Sequence, residues 1–196
     1  MRTEILIYDG FDELDALGPF EVLRNAGLEA ELVTLDGPAD VTGDHGAVIR
    51  ISRALGRPDL IVVPGGGWIT RSDAGAWGEA ERGAIPAALA ERHAAGSRVA
   101  SVCTGAMLLA AAGILRGRPA VTHHGALADL AESGAQVIDA RVVDDGDVIT
   151  AGGVTSGLDL ALHLVERELG AEAAESVARD LEHDRRGPVW TAAVSG

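Results

Sequence analysis

Cysteine is nearly absent from this 196-residue chain: Cys103 is the only one. A single thiol cannot form an internal disulfide, so nothing points to an oxidising compartment. Aromatic residues are also scarce, at 3% against 26 glycines, which predicts close backbone packing around an Ala/Val/Leu interior. Basic residues are outnumbered 16 to 30, for a formal charge of −14. That balance argues against a nucleic-acid partner, which needs a basic footprint. No apolar run reaches membrane-spanning length, and the N-terminal segment lacks the charged and apolar regions of a signal peptide. A cytoplasmic protein with no membrane partner is expected. CxxC, HExxH and clustered His/Cys spacings are all missing, so neither a metal nor another cofactor is expected.

What is present is an alternation of short apolar strands and helices. Strands are predicted at Thr3–Tyr8, Ala30–Leu35, Leu60–Val63, Arg98–Val102 and Ala120–Thr122. Helices are predicted at Leu14–Asn25 (with Pro19 near its start), Ile85–Ala95, after Cys103 as far as Gly113 or Gly117, Gly125–Glu132, Val154–Leu169 and Ala171–His183. Arg141–Val143 and Asp147–Thr150 flank Asp144-Asp145-Gly146, a hairpin signal. The pattern predicts an α/β fold, a doubly wound, mostly parallel sheet with helices on both faces, in one domain over residues 1–196. Active sites in such sheets gather at the carboxyl ends of strands. Asp9-Gly10, Gly65-Gly66-Gly67 and Cys103-Thr104-Gly105 all fall at such ends.

Cys103 lies between the strand RVASV and an apolar helix. A sharp turn there presents the thiol, and the helix N-terminus favours thiolate, as a nucleophile requires. A lone cysteine is also commonly an inert core residue, and position alone does not decide between the two. Gly66 and Gly67 offer backbone N–H groups that, with that of Thr104, could form an oxyanion hole; a plain tight turn is the alternative. Asp15 is either a helix-capping carboxylate or a general acid beside the thiol. Trp68 could wall an apolar substrate pocket or simply pack on its loop. His123 could bind substrate or be a hydrogen-bonded structural residue.

Four segments carry a family resemblance: Asp15 to Val22 (DALGPFEV), Val62 to Gly67 (VVPGGG), Ser101 to His124 (SVCTGAMLLAAAGILRGRPAVTHH) and Thr150 to Arg167 (TAGGVTSGLDLALHLVER). Together they resemble the ThiJ/PfpI superfamily, flavodoxin-like relatives of the class I glutamine amidotransferases. The nearest likeness is to the isonitrile hydratase group, where Asp-x-x-Gly-Pro and Cys-Thr-Gly occur together. The resemblance implies a flavodoxin-like fold, a small-molecule substrate and a homodimer. It also implies catalysis by Cys103, Asp15 and Thr104 through a Cys-bound thioimidate. Peptidase-like members carry His directly after the nucleophile, where this chain has Thr104. Glyoxalase-like members place Glu on the first loop, where this chain has Asp15. A glyoxalase- or deglycase-like activity on 2-oxoaldehydes is the alternative within the superfamily. The same segments also resemble the sensor domain of AraC-type regulators, which implies a ligand- or stress-sensing module without turnover.

Overall fold

The run Leu60–Val63 forms a strand whose four residues are all buried, because both faces of the sheet are covered at this point. The computed structural model describes residues 1–192. Its elements run β1 (Arg2–Leu6), α1 (Glu13–Asn25), β2 (Glu29–Val33), β3 (Ala39–Thr42), β4 (Val48–Ile51), β5 (Leu60–Val63), α2 (Ala76–Arg82), α3 (Ala84–Ala94) and β6 (Arg98–Val102). There follow α4 (Gly105–Ala111), β7 (Pro119–Ala120), α5 (Leu127–Glu132), β8 (Gln136–Val137), β9 (Val142–Asp144), β10 (Val148–Ala151), α6 (Ser156–Leu169), α7 (Ala171–Asp180) and β11 (Trp190–Thr191).

Seven strands make the main sheet in the order β11-β9-β10-β6-β5-β1-β2. All neighbours are parallel except β9 and β10, the predicted hairpin. One helical layer is built from α1, α6 and α7, and the other from α2, α3 and α4. The doubly wound α/β architecture expected from the alternation is therefore present. Among the described residues, no helix is long and apolar enough to cross a membrane.

Several expectations are corrected. Pro19 lies in the middle of α1, not near its start. A proline here lacks the N–H that would bond to the Asp15 carbonyl one turn earlier. Its ring instead packs where α1 meets α6: a Cβ on Gly157 would lie 3.4 Å from Pro19 Cδ. The segment expected as a strand at Ala120–Thr122 is β7, which pairs only with β8, outside the main sheet. The helix expected from Gly125 begins at Leu127, after a 3-10 turn over His124–Ala126. The last helix ends at Asp180 rather than His183. The β3–β4 hairpin and α2 have no counterpart among the predicted elements.

Candidate active site

The strand ends β1, β5 and β6 bring three loops together, and Cys103 sits on the third. Its φ of 56° is left-handed, a conformation that costs an ordinary residue ~1–2 kcal/mol. The surroundings hold it there. Cys103 N–H donates to the carbonyls of Ala151 and Gly152 at 3.1 and 2.9 Å, and the Thr122 hydroxyl donates to the Cys103 carbonyl at 2.8 Å. Gly105, which follows in the first turn of α4, has no room for a side chain because the Val63 and Pro64 carbonyls press against it. Strand β6 therefore turns into α4 within three residues, and the thiol is placed at the bend.

Asp15 reaches the same point from α1. It is not the cap of that helix. Asp12 is, its side chain accepting the Leu14 N–H at 3.1 Å. Asp15 is fully buried, and its Oδ2 accepts the Gly65 N–H at 2.9 Å. Its Oδ1 has no hydrogen-bond partner among the described residues. The Cys103 thiol lies close enough to favour the carboxylate form, without meeting the geometry of a full hydrogen bond.

The glycine turn is forced by close approach. A Cβ on Gly65 would lie 2.5 Å from both the N and Oγ1 of Thr104, and one on Gly66 would meet the Gly10 carbonyl and the Asp12 N–H. Gly66 N–H donates to Thr104 Oγ1 at 3.0 Å. That N–H, expected in the oxyanion hole, is thus already engaged, while Gly67 N–H has no partner among the described residues. The Thr104 hydroxyl thereby ties the glycine turn to the cysteine turn. Tyr8, just beyond the end of β1, donates its hydroxyl to the Pro64 carbonyl at 2.5 Å and fixes the same turn.

Titration at this site follows from burial. Burial, then the charge of Asp12, pushes Asp15 from 3.8 up to about 8, against the pull of the Gly65 N–H and the Cys103 thiol. Burial and then Asp15 push the Cys103 thiol well above its ordinary value, although the N–H groups of Thr104 and Val154 favour thiolate. The expectation that the helix N-terminus would make Cys103 a thiolate is therefore corrected: desolvation and a neighbouring acid outweigh it. Both shifts favour the protonated forms. Because Oδ2 accepts a hydrogen bond, the carboxylic proton belongs on Oδ1. Tyr8 is also raised, by burial first and then by Asp15 and Cys103.

A pocket of about 180 Å³ opens in front of the thiol. Trp68, Ile69 and Val154 are its apolar wall, and Gly67, Thr104 and His123 border it as well. His123 Nδ1 accepts the Gly125 N–H at 3.1 Å, which leaves Nε2 as the protonated nitrogen. Burial and the adjacent His124 lower its pKa, so it serves as a neutral donor. Five pocket residues were missed in the sequence: Asp12, Asp44, Ile69, Thr70 and Val154. Asp12 had only a capping signal, and Asp44 arrives on the unread β3–β4 hairpin, whose turn Glu13 grips through the N–H groups of His45 and Ala47. The cluster Thr42-Gly43-Asp44-His45-Gly46 was the available turn signal. Among the described residues no group of His, Cys, Asp and Glu could hold a metal.

Cysteine, carboxyl and glycine turn thus converge as the motif order implied, and known proteins match along the same order. An isonitrile hydratase of Pseudomonas putida is 33% identical over 187 residues, covering 93% of this chain and 78% of that protein. A deglycase of Pyrococcus abyssi is 30% identical over 156 residues, covering 77% of this chain and 89% of that protein. The crystal structure of a ThiJ/PfpI family protein from Pseudomonas syringae superposes with a TM-score of 0.83 at 30% identity, over 95% of this chain and 76% of that one. The family model for DJ-1/PfpI proteins matches residues 1–167, and this chain belongs to the DJ-1/PfpI family.

Proposed function

We propose that the protein hydrates a small isonitrile, R–N≡C, to an N-substituted formamide. One observation carries this reading: a fully buried carboxyl, its pKa pushed up to about 8 and one oxygen without a partner among the described residues, stands beside the only thiol. An isonitrile is attacked and protonated at the same carbon, so its hydration needs a nucleophile and an acid converging on one atom. Asp15 Oδ1–H delivers its proton to the terminal carbon as Cys103 Sγ bonds to it, and the thiol proton returns to the Asp15 carboxylate. The product is a thioimidate, R–N=CH–S–Cys103. Water then adds to that carbon, with one of its protons passing to nitrogen, and the C–S bond breaks. Formamide leaves and the thiol is restored. Such acid–base assistance supplies roughly 100- to 10,000-fold in rate. Thr104 and Tyr8 hold the glycine turn whose Gly65 N–H fixes Asp15. Gly67 N–H and His123 Nε2–H are the donors at the pocket wall.

A second reading is supported by the similarity to a deglycase: attack of Cys103 on a 2-oxoaldehyde. That chemistry must move a proton between adjacent carbons, a task for an ionised carboxylate rather than a neutral acid. The two are separated by giving the protein methyl isocyanide and methylglyoxal in parallel and measuring formamide and lactate. Formamide alone supports hydration. Lactate alone replaces it with the second reading, and neither product points to a binding module without turnover.

A further inference from the structure

One cluster beside the pocket has no part in the chemistry above. Trp68, a pocket-wall residue only 7% exposed, donates its indole N–H to Asp129 Oδ2 at 2.6 Å. The same oxygen receives the Arg71 guanidinium at 3.2 Å. Arg71 in turn lies over the ring of Trp77, 3.9 Å from its centroid, and Trp77 meets Trp68 edge to face at 5.0 Å. Arg71 also has a left-handed φ of 55°. A residue in that region persists where its surroundings over-determine it, and such strain concentrates at functional sites. The loop from Gly67 to Arg71 is thus closed at its far end by one carboxylate on α5. A buried indole N–H needs an acceptor, and Asp129 is the one it has.

We propose that Asp129 is a positioning residue that sets how large an electrophile reaches Cys103, acting through Trp68. In a pocket of about 180 Å³, an indole face is a large part of the boundary, so a small rotation of Trp68 changes the space open to the R group. Asp129 does not line the pocket and touches none of the reacting groups described. The inference rests on Cys103 being the reacting thiol of this pocket, and not on which electrophile it takes.

The test reads Cys103 directly. Second-order alkylation rates are measured with iodoacetamide and with bulkier N-benzyl iodoacetamide on wild type, Asp129→Ala, Asp129→Asn and Trp68→Phe. A merely structural role would lower the melting temperature and move both rates together. Positioning predicts that Asp129→Ala raises the bulky-to-small rate ratio by roughly tenfold, the scale on which pockets discriminate by small differences in bulk. Asp129→Asn, whose amide oxygen still accepts the indole N–H, keeps the wild-type ratio. An unchanged ratio in folded Asp129→Ala, or an equal change in Asp129→Asn, overturns the proposal. If Asp129→Ala does not fold, Trp68→Phe carries the test: it keeps a ring but loses the N–H, and an unchanged ratio there is equally fatal. A shifted ratio in a protein that consumes no isonitrile upholds the positioning role and removes only the proposed function.

Discussion

Asp15 and Gly65, fifty residues apart, meet in a single buried hydrogen bond: Gly65 N–H donates to Asp15 Oδ2 at 2.9 Å, and the other carboxyl oxygen has no partner among the described residues. The bond fixes which oxygen carries the proton and therefore which one acts as the acid.

The pH–rate profile should reflect that acid. With Asp15 at about 8, the protonated fraction is nearly complete at pH 6 and falls through pH 8. Turnover is expected to decline with an apparent pKa near that value. Asp15→Asn should lose ~100-fold or more below pH 8, where wild type still carries the acid, because the amide has no acidic proton to give. A wild-type profile flat from pH 6 to 10 would contradict the assignment.

Stability should depend on the same group, in a direction set by linkage. The folded-state pKa of Asp15 is raised, from 3.8 to about 8. Its contribution is therefore fully present below the unfolded value and is lost as pH rises through the folded one. Wild type should weaken between pH 4 and pH 8, and Asp15→Asn should remove that part of the slope. Above pH 8, denaturant titration should find the Asn variant more stable than wild type by more than ~1.4 kcal/mol, the equivalent of one pKa unit.

Thr104 gives a prediction independent of proton transfer. Thr104→Val keeps the shape but leaves the Gly66 N–H without its acceptor, at a cost of ~1–3 kcal/mol. Thr104→Ser keeps the hydroxyl and should recover most of that loss. Urea midpoints and turnover of the two variants check the order Ser above Val for both properties.

Gly66→Ala should be the most damaging small change in the site. Its φ of 123° is strained for any side chain, at ~1–3 kcal/mol, and the added Cβ would press on Gly10 and Asp12. Thermal unfolding should show the loss. A folded Gly66→Ala with wild-type stability would contradict the close packing of the two loops.

Much of this site was legible because its signals are local. An apolar run that stops at three glycines, a thiol between strand and helix, and a carboxylate three residues after the capping Asp12 each announce a loop at a strand end. The charge states were not legible. A helix N-terminus argues for a thiolate at Cys103, and only the three-dimensional burial of Cys103 with Asp15 reverses that expectation. The use of the Thr104 hydroxyl was hidden for a similar reason, since it depends on Gly66 approaching from 38 residues away. Asp44 was missed because its hairpin, β3–β4, stands outside the main sheet and lacks the long apolar runs that marked the buried strands.

The central claim, that Cys103 and Asp15 together add water to an isonitrile carbon, is tested most directly by following the isonitrile infrared band of a simple alkyl isocyanide. Wild type, Cys103→Ala and Asp15→Asn are compared at pH 7, with the formamide identified by chromatography. The band should disappear with stoichiometric formamide in wild type and persist in both variants, each folded by circular dichroism. Consumption that survives in Cys103→Ala, or a band that persists in wild type, would contradict the account.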